Sequence, residues 1–334
     1  MIQNISTSPL QKSYDVVVVG GAMLGSSVAW FLSTNTSFKG SILVIEKDPT
    51  YKFSSTAHTN SCIRQQFSTE INVKISQFGA DFIKNFREYM GGDERVPIVP
   101  FQSFGYMYLA DNLEFAETLQ QAQIIQKKSG AGTKYMLADE IKRDYPFYML
   151  DDIIGGNHNL IDEGYFDGNT LFDWWKRSAR ERGAEYITNE AVSMQKNIKG
   201  NSVKTITLKS GEVISVGQVV NASGPRARFT AQMAGIEIPV EPRKRYTFVF
   251  DAEHTLNCDL PLTIDPSGIH MRSEGTYYLA GCAPDLDLAV DYNDFIEDHF
   301  IWQEKVWPII ANRIPQFESI KLINSWAGHY AFNT

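Results

Sequence analysis

The sequence predicts an α/β protein in which a nucleotide-binding domain, discontinuous along the chain, carries a cap of antiparallel strands and helices. Three observations predict it. Val16-Val17-Val18-Val19 runs into Gly20-Gly21-Ala22-Met23-Leu24-Gly25 near the start, and Gln218-Val219-Val220 runs into Asn221-Ala222-Ser223-Gly224-Pro225 in the second half. Between and beyond these turns, segments alternate or run apolar at strand length, and a chain of 334 residues exceeds the roughly 250–300 at which one core stops growing.

Four β-branched residues in a row fit a strand buried on both faces. Gly20 permits a tight turn, Gly25 lets a helix beginning near Met23 pack close to the strand, and the amides at that helix N-terminus face a pyrophosphate. A second strand at 42–45 ends at Glu46, 26 positions after Gly20, near the roughly 20-residue offset at which an acid meets a ribose hydroxyl. A 2′-phosphate would be repelled there, which disfavours NADP. Ala22 stands where the middle glycine of G-x-G-x-x-G is usual, and its methyl group pushes the pyrophosphate slightly outward. A dinucleotide in a Rossmann-type fold is the expected ligand.

The Ser/Thr-rich segment 52–61 reads as a loop over that ligand. Helical spacing follows over 71–89, with Ile75, Phe78, Phe82, Ile83 and Phe86 on one face and Gly91-Gly92 ending it. An extended aromatic stretch at 96–109, a helix at 113–128 and a short helix at Asp139-Glu140-Ile141, stopped before Pro146, read as an inserted cap. A helix at 170–182 leads to strands at 185–188, 203–208 and 212–216 and to the second turn, where the nucleotide domain resumes. Strands at 246–250, 268–272 and 277–281 suggest a separate antiparallel sheet. A helix at 295–310 and an extended piece at 320–326 complete the series. The resulting division is 12–90 and 164–230 for the nucleotide domain, 91–163 and 231–319 for the cap, and 320–334 for the start of a C-terminal nucleotide-domain segment.

Hydrophobic residues make up 43% and charged residues 21%, as in folded globular chains. A net charge of −8 without blocks of like charge argues against a nucleic-acid surface. Cys62, Cys258 and Cys282 are an odd, widely spaced trio, so neither a disulfide framework nor a metal site is expected. The first 13 residues have no apolar run and one basic residue, Lys12, and no stretch approaches the roughly 18 apolar residues of a membrane span. A soluble, cytoplasmic protein is the expectation.

Several strings carry a resemblance: the valine-rich glycine turn, Glu46, Ile63-Arg64-Gln65-Gln66-Phe67-Ser68, Asp162-Glu163-Gly164-Tyr165-Phe166-Asp167 and Val220-Asn221-Ala222-Ser223-Gly224-Pro225. Over its whole length the chain resembles the FAD-dependent amine and amino-acid oxidoreductases typified by D-amino-acid oxidase, glycine oxidase, sarcosine oxidase and dimethylglycine dehydrogenase. Val240-Glu241-Pro242-Arg243-Lys244-Arg245-Tyr246, Lys305-Val306-Trp307-Pro308 and Ser325-Trp326-Ala327-Gly328-His329-Tyr330 are similar to the FAD oxidoreductase-domain branch linked to respiratory complex I assembly. That branch implies a respiratory-chain partner.

The resemblance implies FAD as cofactor, held by Gly20, Gly21, Ala22, Met23, Gly25, Glu46, Lys47, Ser55, Thr56, His58, Asn60, Ser61, Val192, Asn221, Ala222, Ser223 and Gly224. It implies oxidation of the C–N bond of a small amino acid or N-methyl amino acid, with hydride passing to flavin N5. Relatives usually continue with another glycine-rich strand and helix, so the last wall of the FAD site is expected to lie beyond Thr334. A lysine near the flavin of sarcosine oxidases corresponds roughly to Leu279, which tilts the expectation from oxidase to dehydrogenase. A guanidinium best holds a substrate carboxylate, and Arg64 is the first candidate, with a salt bridge or an FAD phosphate as its alternative role. Arg272 is the second candidate, and His270 and Tyr246 are polar groups that could lie over the flavin. His58 is similar in position to histidines that attach FAD covalently in dimethylglycine dehydrogenases, the alternative being an ordinary hydrogen-bonded histidine. Rival readings are oxidation of a 2-hydroxy acid or glycerol phosphate, and a flavin-binding assembly factor without turnover.

Overall fold

The structure, a computed structural model, describes residues 5–334. The chain opens with β1 (Ser13–Val19), α1 (Met23–Thr34) and β2 (Ile42–Glu46), the strand-turn-helix-strand unit that the glycine turn predicts. Next come β3 (Cys62–Ile63), α2 (Glu70–Lys84), α3 (Phe86–Tyr89), β4 (Phe101–Gln102), β5 (Tyr106–Ala110) and α4 (Leu113–Lys128). The middle holds β6 (Lys134–Leu137), α5 (Ala138–Asp144), β7 (Gly155–Asn159), β8 (Gly164–Phe166), α6 (Gly168–Glu181), β9 (Glu185–Thr188), β10 (Ala191–Lys196), β11 (Val203–Leu208) and β12 (Val213–Asn221). The chain finishes with α7 (Ala227–Met233), β13 (Val240–Ala252), β14 (Leu262–Ile264), β15 (His270–Glu274), β16 (Tyr277–Cys282), α8 (Trp307–Arg313) and β17 (Ile320–Asn333).

Six strands form a sheet in the order β10-β11-β12-β1-β2-β9. It is parallel from β12 to β9 and antiparallel from β10 to β12. Val16 and Val18 of β1 pack with Val44 against Trp30 of α1, while Val17 and Val19 join Leu43 and Ile45 on the other face. Each such side chain contributes about 1.5–3 kcal/mol on full burial, which is why the strand reads as an unbroken apolar run. The register pairs Val19 with Asn221, so the two turns that follow β1 and β12 lie side by side at the carboxyl end of the sheet. That edge is where open α/β sheets bind ligands.

Eight strands form the second sheet, in the order β17-β13-β16-β15-β14-β5-β7-β6. It is antiparallel except between β14 and β5, which run parallel; no hairpin joins these two strands, so nothing forces the antiparallel pairing that the sequence suggests. Tyr246, Phe248 and Phe250 of β13, Met271 of β15 and Tyr278 of β16 form one face, packed with Trp302, Ile310 and Phe317. On the opposite face, Thr247, His270 and Arg272 meet Asn60, and Tyr106 and Tyr108 meet Cys62 and Tyr165. A small sheet, β3-β8-β4, lies on that side.

The structure corrects several expected elements. The helix expected over 71–89 breaks at Asn85, and Ile75 and Phe78 are 60% and 55% exposed, off the stripe that buries Val73, Phe82 and Ile83. The pieces expected at 212–216 and 218–220 are one strand, β12, and β10 was not anticipated. In the segment expected to be helical over 295–310, Phe295 lies in a loop and stacks on His329 at 4.2 Å; helix begins only near Phe300 and passes through a π-helical turn at Trp302–Val306. The basic run Arg243-Lys244-Arg245 lies within β13, and its members pair with Glu241, Asp294 and Asp287. β17, which the sequence places in a nucleotide-domain segment, hydrogen-bonds along β13 as an edge strand of the large sheet, and its last residues reach the cleft described below.

Among the described residues, no helix is long and apolar enough to cross a membrane, and no group of three or more His, Cys, Asp or Glu could hold a metal ion.

Candidate functional site

The two turns open onto a cleft of about 690 Å³, within the roughly 300–1,000 Å³ range of ligand sites. Its floor is packed backbone to backbone. A Cβ on Gly20 would lie 2.4 Å from the Ala222 carbonyl oxygen, and one on Gly25 would lie 1.9 Å from that of Gly20. Gly20 also has φ of +99°, a conformation that side-chain-bearing residues rarely adopt. Glu46 is held ready at the end of β2: its two carboxylate oxygens accept the Gly21 and Asp48 amides, each at 2.8 Å. Burial pushes its carboxyl above the usual range, against the pull of those hydrogen bonds. The first turn of α1 carries no acidic side chain, so its positive end is free to meet an anion.

Of the residues expected to hold FAD, Gly20, Ala22, Met23, Glu46, Lys47, Ser55, Thr56, Ala222, Ser223 and Gly224 line the cleft. Thr56 crosses over the turn and accepts the Met23 amide at 3.3 Å. Gly21 and Gly25 act from beneath, through the Glu46 hydrogen bond and the close strand–helix packing. Five predicted residues stand elsewhere. Val192 is 44% exposed and its neighbour Ala191 lines the cleft instead, because alternation along β10 turns the two side chains opposite ways. Asn221 does not line the cleft and donates to the Ala227 carbonyl. His58 donates from Nδ1 to the Ser54 carbonyl at 3.0 Å, and its ring lies against Phe295. Ser61 accepts the Phe166 amide through its carbonyl, on the small-sheet side. Asn60 belongs to the cap face, as described below.

Sequence reasoning missed Tyr51, Arg226, Phe229, Tyr292 and the stretch from His329 to Asn333, all of which line the cleft. They arrive from the loop after β2, the turn into α7 and α7 itself, the loop before α8 and the end of β17, and no local motif marks them. Among the described residues, the buried Tyr51 hydroxyl and the buried Arg226 Nε have no hydrogen-bond partner. These open donors, the Glu46 carboxylate, the α1 N-terminus and the apolar walls from Ile45, Phe229 and Met233 suit a flavin dinucleotide.

Beyond the cleft lies a second cluster. Tyr330 lines the cleft, and its field reaches Tyr108 of β5, which Arg64 and Glu163 also influence. The Arg64 guanidinium lies over the rings of Phe67 and Tyr108, at 4.7 and 5.9 Å. Among the described residues it forms no ion pair, and its buried Nε has no hydrogen-bond partner. Arg272 is different. It is 2% exposed, donates to the Ser273 and Asn60 carbonyls, and pairs with Glu274.

His270 and Asn60 are joined at 2.8 Å, and Thr247 donates to the other end of the Asn60 amide at 3.2 Å. Burial, with the Arg272 charge beside it, lowers the His270 pKa to about 4, so the ring is neutral and accepts from Asn60. Tyr246 lies on the opposite face of the sheet, in the core with Phe248, and its place on the cap face is taken by Thr247. With a side-chain period of two, one residue decides the face.

The family model described as FAD-dependent oxidoreductase (DAO) matches residues 15–334. The chain belongs to that family. FAD is accordingly its cofactor, and the residues around Gly20, Glu46, Thr56 and Ser223 are those that would hold it. Among curated relatives, the FAD-dependent oxidoreductase domain-containing protein 1 of Xenopus laevis is 33% identical over 353 residues, covering 96% of this chain and 70% of the relative. Mitochondrial sarcosine dehydrogenase of Mus musculus is 23% identical over 237 residues, covering 70% of this chain and 25% of the relative. Among solved structures, an L-proline dehydrogenase from P. horikoshii superposes with a TM-score of 0.78 at 26% identity, covering 96% of this chain and 82% of that one.

Proposed function

We propose that the protein oxidises the C–N bond of a small amino acid or N-methyl amino acid, with Arg64 holding the substrate carboxylate, and that it acts as a dehydrogenase. The observation that carries this reading is the Arg64 guanidinium, without an ion-pair partner among the described residues and lying over the Tyr108 ring, whose phenol feels the cleft-lining Tyr330. A planar guanidinium donates two parallel hydrogen bonds to a carboxylate, and the phenyl and phenol faces on which it rests hold its plane in one orientation. Arg272 lacks that freedom: its Nε, like that of Arg64, has no partner among the described residues, but both of its terminal nitrogens donate to backbone carbonyls and its charge is paired with Glu274.

When bound, FAD supplies the acceptor for the hydride leaving the carbon that bears the amine. The chain's own residues bind and orient. Asn60, fixed between Thr247 and neutral His270, presents an uncharged polar group to an approaching amine, and Glu274 offsets the charge of the adjacent Arg272. Leu279, 2% exposed and paired across the sheet with Arg272, sets an apolar side chain on the same face; with no lysine at that place, dehydrogenase activity is favoured over oxidase activity. The names of two relatives, sarcosine dehydrogenase and L-proline dehydrogenase, point to amino acids with a secondary amine.

The test is anaerobic mixing of FAD-loaded protein with amino acids, N-methyl amino acids, 2-hydroxy acids and glycerol phosphate, followed by the flavin absorption band. Bleaching by amino acids, with slow recolouring in air and fast recolouring with a dye acceptor, is the expected result. Bleaching by hydroxy acids alone would overturn it.

A further inference from the structure

Glu163 is a fully buried carboxylate, 0% exposed, in the turn before β8. Among the described residues it forms no ion pair, an arrangement that costs free energy unless hydrogen bonds or nearby charge compensate. Besides a hydrogen bond with the Asn159 side chain, its carboxylate is held by the segment that carries Arg64. One oxygen accepts the Gln65 backbone amide at 2.6 Å and the other accepts the Gln66 side-chain amide at 2.9 Å. Gln65 and Gln66 are themselves buried, and they anchor further to the Ile161 and Tyr106 carbonyls at 2.9 and 3.1 Å. The residue next to Arg64 is thus fixed by Glu163, and the Arg64 charge acts on the Glu163 carboxyl from nearby.

We propose that Glu163 is the positioning residue of the Arg64 anchor: it holds the guanidinium in place through Gln65 and sets, by its own charge, how tightly Arg64 binds a substrate carboxylate. The proposal rests on the reading of Arg64 as that anchor. An ionised Glu163 competes with the incoming carboxylate for the same positive charge, and a protonated Glu163 leaves that charge to the substrate. Burial raises the Glu163 pKa to about 7, against the hydrogen bonds and Arg64, which lower it. The other groups that face it do not titrate in that range. Gln66, Gln65 and Asn159 are neutral amides, Arg64 stays charged, and burial drives the Tyr108 phenol upward. Asp162 beside it is paired with Lys84 at 2.7 Å.

The experiment measures acetate binding to the FAD-loaded protein by calorimetry and flavin absorption, between about pH 5.5 and 8.5, for the wild type, Glu163→Gln, Glu163→Asp and Arg64→Ala. Wild-type affinity should weaken about tenfold from the acid to the alkaline end. Glu163→Gln should give a flat profile, and Glu163→Asp should restore a pH-dependent one. In the wild type alone, acetate binding near pH 7 should take up a fraction of a proton, and near pH 5.5 none, a readout that needs no variant to fold. A wild-type pH profile in Glu163→Gln, or no proton uptake near pH 7, overturns the role of Glu163 while leaving the anchor intact if Arg64→Ala has lost acetate. Undiminished acetate binding in Arg64→Ala overturns the anchor itself, and the proposal with it.

Discussion

Replacing Gly25 by alanine tests whether close packing at the glycine turn is what shapes the FAD site. The added Cβ would lie 1.9 Å from the Gly20 carbonyl oxygen, whereas ordinary contact begins near 3.4 Å, so α1 must back away from β1 by about 1.5 Å. The obstacle is backbone, not the flexible end of a side chain, so no rotamer change relieves it. Overpacking of this kind costs about 1–3 kcal/mol of stability. The same shift carries the first-turn amides of α1 out of hydrogen-bond reach of a bound pyrophosphate. Losing one charge-assisted hydrogen bond, about 1.5–3 kcal/mol, weakens FAD binding roughly 10- to 150-fold. The assay is FAD titration of flavin-stripped protein by fluorescence quenching, with thermal melts of the stripped protein. Gly79→Ala is the control: it lies in α2, its nearest neighbour is the Ile63 Cδ1 atom at an ordinary 3.4 Å, and helix propensity makes it neutral or stabilising by about 0.5–1 kcal/mol. If Gly25→Ala binds FAD within about twofold of the wild type, α1 does not depend on this contact and the reasoning is refuted.

Acid precipitation should leave all flavin in the supernatant, because His58 does not line the cleft and its Nδ1 is engaged by the Ser54 carbonyl; flavin pelleting with the protein would contradict this. Arg272→Met should lower the melting midpoint by the equivalent of about 2 kcal/mol or more, since it strips buried hydrogen bonds to Ser273 and Asn60, while acetate affinity stays within about twofold. Loss of acetate affinity at unchanged stability would return Arg272 to the anchor role. Glu163 should also tie stability to pH. Its pKa is higher in the folded protein, about 7, than the ordinary 4.5, so between those values the folded state holds the extra proton, and stability falls as pH rises through that window, by up to about 3 kcal/mol. Chemical denaturation at a series of pH values should show this fall in the wild type and not in Glu163→Gln.

The nucleotide half was legible in the sequence because its determinants are local. A buried parallel strand must be apolar on both faces, the turn after it needs glycine where backbone meets backbone, and the acid at the end of the next strand follows at a nearly constant offset. Val16 to Gly25 and Glu46 therefore announce their own geometry. The cap was legible as strands and helices but not in its packing, because a β-strand states its alternation and not which face is buried against what. Tyr246 and Thr247 are both polar enough for a site, and only the packing of Phe248 and Phe250 against Trp302 sends Tyr246 into the core and leaves Thr247 facing Asn60. Val192 and Ala191 differ in the same way.

The sequence by itself determined the cofactor class and located the two turns and the acid that border the cleft, since those features arise within short, contiguous stretches. Tertiary structure alone decided which arginine is free. Arg64 and Arg272 carry the same group on segments far apart in the chain, and both lie over aromatic rings; they are distinguished by Glu274, Ser273 and Asn60, which pair the charge and the terminal nitrogens of Arg272, while among the described residues Arg64 has no ion pair and feels a carboxylate held through its neighbours. A charge takes its chemical role from the groups around it, and those groups are assembled only when the chain folds.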